Sequence, residues 1–186
     1  MSQKRLYEIF YEVSRTVNSS LDPSEVLRRI AEQVTQAMGA KGCFIRLLDR
    51  SGSILKPAAY YGLSDRYAQK GVVEVAKSGL DREAFAGQVV QIKDACTDSR
   101  FQYGQEAATE GLASVLVAPM MLEGTRPIGV LRVYTAEQRE FTADEIGFLQ
   151  AIANISAIAI ENARMHQTLK RQMELINAYD YQVFED

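Results

Sequence analysis

The sequence predicts an α+β domain, with helices at both ends and strands between them. Three stretches carry this prediction. Residues 6–38 have the apolar spacing of two amphipathic helices, residues 114–135 that of two strands joined by a turn, and residues 141–179 that of one long helix. Helices and strands grouped along the chain in this way are typical of α+β domains.

Composition excludes several classes of function. The 186 residues favour a single domain, and 47% hydrophobic and 24% charged residues are ordinary for a globular chain. A net charge of −3 and the lack of a Lys/Arg cluster argue against a nucleic-acid partner. The N-terminus is not a signal peptide, and no run approaches the ~18 apolar residues of a membrane span. Because two cysteines make no disulfide framework, we expect a cytoplasmic protein without membrane contact.

Two helices are predicted before the first strand. The first has apolar residues at helical spacing, namely Leu6, Ile9, Phe10, Val13 and Val17, and ends near residues 18–20. The second carries Val26, Leu27, Ile30, Val34 and Met38. Asp22, Pro23 and Glu25 form a capping sequence at its start, and Gly39 suits the position after its end.

Five strands and three short helices are predicted in the middle of the chain. The strands are residues 43–50, 54–62, 88–92, 114–122 and 127–135, and the helices are residues 63–69, 80–86 and 105–110. Pro57 cannot donate to a central ladder, so its strand should lie at an edge. Pro119 should coincide with a bulge or with short pairing to the third strand.

The stretch from Phe141 to about Tyr179 predicts a helix of roughly 35 residues, about 50 Å long. Thr142 and Glu145 form a capping box at its start. Residues 146–160 are apolar nearly all round, which indicates burial on more than one side. A heptad-spaced seam follows, made of Ile152, Ile155, Ala159, Asn162, His166, Leu169, Met173, Ile176 and Val183. We expect one face to pack on the sheet and the seam to meet a second copy.

Four strings in this order resemble the GAF domain family. They are LDPSEVLRRIAEQV, GCFIRLLDRSGSILKPAAYYGLS, GLASVLVAPMMLEGTRPIGVLRVYT and REFTADEIGFLQAIANISAIAIENARM. The resemblance implies an antiparallel sheet of five or six strands in the order 2-1-5-4-3, with helices on one face and a loop-roofed pocket on the other. We expect an N-terminal helix at residues 1–20, a GAF domain at 21–165 and a helical extension at 166–186.

Arg46 and Arg132 are the leading ligand-binding candidates. Each lies among apolar strand residues, on strands that the resemblance makes adjacent. Facing the pocket, they would form a cationic floor for a carboxylate or phosphate. Alternatively, each pairs with an internal acid or reaches solvent. Tyr60 and Tyr103 are candidates for an aromatic wall, because tyrosines and Phe101 flank the irregular middle of the chain.

Cys96 is the remaining candidate, in a polar loop with Lys93 and Arg100 nearby in sequence. Free-methionine sulfoxide reductases are GAF proteins that use cysteines in this region, and ACTD resembles them. Such turnover needs a resolving thiol, whereas Cys43 is expected to be buried and inert. We therefore expect no catalytic residue. His166, the single histidine, is expected to set the register of the helical seam rather than to bind metal or haem.

These observations predict a GAF sensor or regulatory module that binds a small anion. It would dimerise through its N- and C-terminal helices and signal to an effector such as a kinase or cyclase. The cofactor and the ligand are not identified by the sequence. TAEQRE replaces the Asn-Lys pair of cyclic-nucleotide-binding relatives, and neither cysteine has the neighbouring His of bilin-binding ones. The alternatives are a ligand-free structural dimerisation module and a thiol-dependent, methionine sulfoxide reductase-like enzyme.

Overall fold

The chain folds around one antiparallel sheet flanked by helices. We describe it from a computed structural model, which covers residues 3–19, 22–123 and 125–183, with side chains at 7–16, 22–123 and 125–176. The strands are β1 (Gly42–Leu48), β2 (Ile54–Tyr61), β3 (Val73–Glu74), β4 (Val90–Ile92), β5 (Ser114–Leu122) and β6 (Arg126–Thr135). The helices are α1 (Gln3–Ser19), α2 (Pro23–Ala37), α3 (Asp65–Ala68), α4 (Gly79–Phe85), α5 (Gly104–Glu110) and α6 (Ala143–Val183). A 3₁₀ turn at Val75–Lys77 joins β3 to α4.

The sheet has the order β3-β2-β1-β6-β5-β4, and all its pairs are antiparallel. The expected order is confirmed for the five predicted strands. The sixth strand, β3, adds two residues against Ile54 and Leu55 of β2. Pro57 lies beyond this short pairing, on the edge where a missing N–H costs no ladder bond. Pro119 lies beyond the residues of β5 that pair with β4, and next to a register shift between Met120 and Met121. Both predicted features, the short pairing and the bulge, are therefore present.

The helix caps form as the sequence predicts. Asp22 accepts a hydrogen bond from the backbone N–H of Ser24 at 2.9 Å, and Gly39 follows α2 with a φ of +54°. At the start of α6 the capping box is complete. Glu145 accepts from the backbone N–H of Thr142 at 2.9 Å, and Thr142 accepts from that of Glu145 at 3.3 Å. Both α2 and α6 therefore begin where a side chain satisfies one of the first free N–H groups.

One face of the sheet, here called the helix side, packs against α1, α2 and α6. Its core includes Cys43, Ile45, Leu131 and Val133 from the strands. The first half of α6 is buried between β5 on one side and α1 and α2 on the other, which explains its apolar character all round. Part of the face expected to meet a second copy is thus covered by α1, while Ile158 remains 55% exposed.

The second half of α6 extends beyond the sheet with its side chains exposed from Asn162 to Ile176, apart from a half-buried Ala163. The seam residues Leu169, Met173 and Ile176 are each at least 60% exposed. Val183, the last predicted seam position, lies outside the side chains that the structure describes, as do Leu6 and Val17 of the first helix.

By length and composition alone, α6 is apolar enough to cross a membrane. An 18-residue window within Ala143–Ile176 has a mean hydropathy of 1.3, so the expectation that no stretch would qualify is wrong on that criterion. The alanines between its larger apolar residues raise the average. Half of the window is buried inside the fold, and the core helix of a globular domain passes the same test.

Candidate functional site

The opposite face of the sheet, here called the roof side, is covered by α3, α4, α5 and the loops between them. Side chains alternate along a strand, so Phe44 and Arg46 of β1 face the roof while Cys43 and Ile45 face the helices. On β6, next to β1, Arg132 points to the roof in the same way. The two predicted arginines therefore lie on the same face of neighbouring strands.

Arg46 is fully buried, and only one of its three guanidinium nitrogens, Nη1, is hydrogen-bonded in the described structure. Its Nη1 donates to the carbonyls of Leu55 at 3.3 Å and Gly71 at 3.2 Å, and its guanidinium carbon lies 4.3 Å from the centre of the Phe44 ring. Its Nε and Nη2 have no acceptor among the residues the structure describes. Burial and the nearby charge of Arg132 lower the pKa of Arg46. The open Nε–Nη2 edge is the one that binds carboxylates and phosphates side-on.

Arg132 is paired with an internal acid, the alternative that the sequence left open for it. Its Nη2 donates to both carboxylate oxygens of Asp81 on α4, at 2.5 Å, and both side chains are almost completely buried. Burial lowers the pKa of Arg132, but the charge of Asp81, the influence of Tyr134 and the hydrogen bonds to both together outweigh burial and leave the pKa raised. Its Nε, within the described part of the chain, has no acceptor. Asp81 thus ties the roof helix α4 to the floor of the sheet.

Two tyrosine hydroxyls complete a set of five buried donors without acceptors in the described structure. Tyr67 of α3 and Tyr134 of β6 pack edge to face, with ring centres 5.8 Å apart. Both hydroxyls are buried and, like the Arg46 and Arg132 nitrogens, have no well-formed hydrogen bond in the described structure, although Tyr134 lies close enough to interact with Tyr67 and Arg132. Burial, followed by the influence of Tyr134, raises the pKa of Tyr67, so its hydroxyl stays protonated. We call Arg46, Arg132, Tyr67 and Tyr134 the donor cluster.

Lys70 lies beside the donor cluster, between three aromatic rings. Its Nζ donates to the carbonyl of Tyr67 at 3.1 Å and lies 3.2 Å from the centre of that ring. The rings of Phe44 and Tyr103 are each 5.3 Å away. Burial, then the charges of Arg46 and Arg132, lower the pKa of Lys70 to about 6. Burial and the two arginine charges thus disfavour the ammonium form of Lys70, against the cation–π attraction of the three rings.

A cleft of about 380 Å³ opens between α3 and α5, directly outside Lys70. It is lined by Arg66, Tyr67, Lys70, Gln105, Glu106 and Thr109. Tyr67, which is a member of the donor cluster, and Lys70, which lies beside the cluster, both line this cleft. The two side chains therefore separate the buried donors from solvent.

Tyr60 and Tyr103, the predicted aromatic wall, border the cluster but use their hydroxyls elsewhere. The Tyr60 ring packs on Phe44 at 5.6 Å between centres, and its hydroxyl donates to Asp65 at 2.7 Å. The Tyr103 hydroxyl donates to the carbonyl of Val72 at 2.7 Å. Next to it, Gly71 has a φ of +138°, and a Cβ there would lie 2.8 Å from the Tyr103 hydroxyl. The two tyrosines brace the roof segment that supplies a carbonyl to Arg46.

Cys96 is exposed in its loop, and its hydrogen bonds in the described structure are made to Asp94 and Leu112 rather than toward Arg46 or Arg132. Its thiol donates to the carbonyl of Leu112 at 3.6 Å, and its N–H to the Asp94 carboxylate at 3.0 Å. The predicted cations are bound to carboxylates: Lys93 to Glu140 at 3.5 Å, and Arg100 to Asp98 at 2.6 Å.

Cys43 lies in the helix-side core, away from the loop that carries Cys96. Burial raises the pKa of the Cys43 thiol, as expected for an inert cysteine. Asp94 and Asp98 each accept a hydrogen bond from the backbone N–H two residues ahead, which is the usual role of an aspartate in a turn. His166 is exposed on α6, and no group of three metal-binding side chains occurs within the described ranges.

Sequence reasoning missed Asp81 and Lys70. Asp81 lies in a short polar helix, LDREAF, where nothing but its position next to Leu80 marks the buried face. Lys70 stands in an irregular stretch with exposed neighbours on one side and Gly71 on the other. Neither residue can be identified as part of a site without knowing which loops close over the sheet.

An antiparallel sheet with helices on one face, loops over the other and a long C-terminal helix is the architecture of the GAF fold among α+β domains. The chain belongs to the GAF domain family, whose model matches residues 20–161. GAF domains are typically small-molecule sensory or regulatory modules of signalling proteins and usually have no catalytic activity. A search of curated protein sequences finds no match.

Three solved structures illustrate the likeness. The GAF domain of a phosphoenolpyruvate-protein phosphotransferase from Coxiella burnetii is 18% identical with a TM-score of 0.80, covering 90% of this chain and 99% of that one. The corresponding domain from Acinetobacter is 23% identical with a TM-score of 0.74, covering 89% and 97%. Free methionine-R-sulfoxide reductase from Neisseria meningitidis, in complex with its substrate, is 19% identical with a TM-score of 0.73, covering 89% and 95%. At these identities the likeness establishes the fold alone.

Proposed function

We propose that this GAF domain is a cytoplasmic sensor that binds a small anion at the donor cluster. The observation that carries the proposal is the set of five buried N–H and O–H groups with no acceptor in the described structure. Leaving a buried donor unsatisfied costs about 1–3 kcal/mol, and more for a charged group. The three guanidinium nitrogens can only donate, so their missing partner is an acceptor, and the two hydroxyls can donate to the same group. An anion supplies acceptors and offsets the buried charge of Arg46.

The geometry favours a carboxylate or phosphate held against Arg46. Its open Nε–Nη2 edge can donate two parallel hydrogen bonds to two oxygens of one anionic group. The Nε of Arg132 and the hydroxyls of Tyr67 and Tyr134 offer further donors. Phe44, beneath the Arg46 guanidinium, keeps water away and strengthens these bonds. The site is closed in this structure, so a ligand has to displace the Tyr67 and Lys70 side chains.

Dimerisation through the terminal helices is the second part of the proposal. The described part of α1 exposes Tyr7 and Tyr11, and α6 exposes Leu169, Met173 and Ile176 at seam positions. Exposed large apolar side chains that recur at heptad spacing on a projecting helix are typical of a two-helix interface. A second copy would cover them.

Anion binding and dimerisation would be coupled through the elements on the roof side of the sheet. Asp81 anchors α4 to Arg132 on β6, and β6 is continuous through the loop at Glu137 and Arg139 with the start of α6. An anion that draws Arg132 away from Asp81 would loosen α4 and alter the floor on which α6 packs. Signalling requires that the anion favour one arrangement of the dimer over the other. The phosphotransferase origin of two similar domains supports a regulatory role beside an effector, such as a kinase or cyclase.

Thermal unfolding in the presence of anions tests the binding site. We expect sulfate, inorganic phosphate and carboxylates to raise the melting temperature above that in chloride at equal ionic strength. Arg46→Met should abolish the rise, while Arg28→Met, which removes an exposed arginine from α2, should keep it. Native mass spectrometry of the purified protein would identify a retained ligand. The same melting temperature in every anion, with no added mass, would contradict the proposal and favour a purely structural module.

Light scattering after size-exclusion chromatography tests the interface. Leu169→Glu places a charge in the seam and should convert a dimer to a monomer, because burying an unpaired carboxylate is strongly unfavourable. Gln167→Glu puts the same charge elsewhere on the α6 surface and should leave the dimer intact. A monomeric wild-type protein at micromolar concentration would contradict this part of the proposal without affecting the binding site.

The thiol-dependent alternative has less support. The cations near Cys96 are bound to carboxylates, and Cys43 lies in the opposite core. The similarity to the Neisseria enzyme extends to the fold, but a turnover cycle needs a second thiol within reach.

A further inference from the structure

Lys70 has no structural task that requires a lysine. Its Nζ has one hydrogen-bond acceptor in the described structure, the carbonyl of Tyr67, and otherwise faces aromatic rings. A methionine would fill the same space without the desolvation of an amine. The neighbouring guanidinium groups of Arg46 and Arg132 make a third positive charge there still less favourable. The rings attract a cation, but one acceptor and two neighbouring guanidinium charges leave an ammonium there incompletely compensated in the absence of a ligand.

The charges around the donor cluster show what would make Lys70 favourable. Arg46 and Arg132 carry two positive charges, and Asp81 supplies one negative charge, which leaves one positive charge in excess. A singly charged anion on Arg46 cancels that excess and needs nothing from Lys70. A doubly charged anion leaves a negative excess of one, which a protonated Lys70 cancels.

We propose that the site selects a doubly charged anion, which enters through the α3–α5 cleft, and that Lys70 takes up a proton from solvent as the anion binds. This inference rests on the anion site proposed above and deepens it by naming the ligand class and a proton linkage. The cleft leads to Lys70 and Tyr67 first, so an entering anion meets the amine before it reaches Arg46.

The groups that face Lys70 all bear on its protonation. The Tyr67 and Tyr103 rings come from α3 and the loop before α5, and the charged groups are Arg46 on β1, Arg132 on β6, and Glu106 and Glu110 on α5. The two acids raise the pKa of Lys70, but burial and the arginines outweigh them and lower it to about 6. Glu110 already accepts hydrogen bonds from the N–H and hydroxyl of Ser64, at 2.7 and 2.6 Å. A bound dianion would be the nearest uncompensated negative charge and would raise the pKa of Lys70.

Sulfate and formate are suitable probes, because neither changes its charge between pH 6 and 8. The apparent dissociation constant of each is obtained from melting temperatures over a concentration series, with chloride matching the ionic strength. Proton uptake on binding makes the dissociation constant rise with pH, by up to about tenfold per pH unit for one proton. We expect this slope for sulfate between pH 6.5 and 8, and weaker, pH-independent binding of formate.

Three variants decide whether Lys70 is the group that titrates. Lys70→Met should bind sulfate weakly and without the slope, at an affinity near that of the wild type at pH 8. Lys70→Arg keeps a permanent charge and should bind sulfate without the slope as well, but more tightly. Lys56→Met, on the exposed part of β2, should behave as the wild type. Arg46→Met lacks the main anion-binding side chain. Any rise in its melting temperature with sulfate therefore measures general stabilisation that does not involve the site.

The outcomes separate this inference from the proposed function. Binding of sulfate without a slope, an unchanged slope in Lys70→Met, or formate binding as tightly as sulfate would each overturn the dianion inference and leave the anion site standing. No response of the wild type to either anion at any pH would overturn both.

Discussion

The two faces of the sheet are built from the same strands but satisfy their polar groups differently. On the helix side, buried polar side chains bond to the nearest carbonyl: Thr35 to Ala31 at 2.7 Å and Ser156 to Ile152 at 2.7 Å. On the roof side lie all of the buried side-chain donors for which the described structure offers no acceptor. The roof side also holds a buried ion pair and a largely buried lysine.

The buried polar residues of the helix side are compensated and stabilise the fold, whereas several buried polar residues of the roof side are destabilising on their own. The helix side resembles an ordinary core, where apolar area is buried and every polar group is compensated. The roof side retains uncompensated charge, which is seldom kept without a functional reason. Four substitutions probe this contrast, in order of decreasing effect.

Asp81→Ala should cause the largest loss of stability, about 3–5 kcal/mol, because it leaves the Arg132 charge buried and unpaired. Urea denaturation measures the loss. Sulfate should restore more stability to this variant than to the wild type. The control Glu83→Ala, on the same helix, breaks an exposed ion pair with Arg100 and should cost less than about 1 kcal/mol. If Asp81→Ala and Glu83→Ala lost the same free energy of unfolding, the buried Arg132–Asp81 pair would be no more important for stability than an exposed one.

Leu131→Ala removes a fully buried side chain from the helix side and should cost about 2–5 kcal/mol through lost burial and the cavity left behind. Here, anions should restore no more stability than they give the wild type, because the site is on the other face. Val72→Ala, at a half-exposed position, is the control and should cost little. If sulfate raised the stability of Leu131→Ala much more than that of the wild type, the claim that anions act only on the roof side would be contradicted.

Lys70→Met should change how stability depends on pH. The folded pKa of Lys70 is lowered to about 6 from an unfolded value of 10.5, so the unfolded chain binds more protons between these values. Wild-type stability attributable to Lys70 therefore rises with pH above about 6, by up to about 1.4 kcal/mol per pH unit. The variant should lose this rise. Unfolding free energies at pH 6, 7 and 8 measure it, and parallel curves for wild type and variant would contradict it.

Cys96→Ser should have the smallest effect, within about 0.5 kcal/mol, because the thiol is exposed and makes one weak hydrogen bond. We also expect unchanged binding of anions and unchanged response to peroxide. Reduction of free methionine sulfoxide by the wild type that is lost in Cys96→Ser would instead support the thiol-dependent alternative.

Most of the fold could be predicted from the sequence because its signals are local. The capping box of Thr142 and Glu145 and the alternation along β1 and β6 depend on residues a few positions apart. The strand β3 could not be predicted, since two residues carry no periodicity. Its pairing depends on the path of the chain after β2.

The site was predicted in part, for the same reason. Arg46 and Arg132 stand out as charges within apolar strands, and their common face follows from strand alternation and the order of the sheet. Asp81 and Lys70 lie on short elements whose orientation is set by tertiary packing. Lys93 and Arg100 show the converse: they are near Cys96 in sequence but bind carboxylates, so sequence proximity did not place a cation beside the thiol.

The burial of the two arginines bears on how quickly such a module would respond. Arg46 and Arg132 are 0% and 2% exposed, so an anion reaches them only after Tyr67 and Lys70 move aside. Capture of the proposed anion would then be limited by the rate at which the α3–α5 cleft opens, and the observed association rate should level off at high anion concentration. Release would require the same opening. A sensor built in this way would respond to the recent history of its ligand rather than to the concentration at each instant.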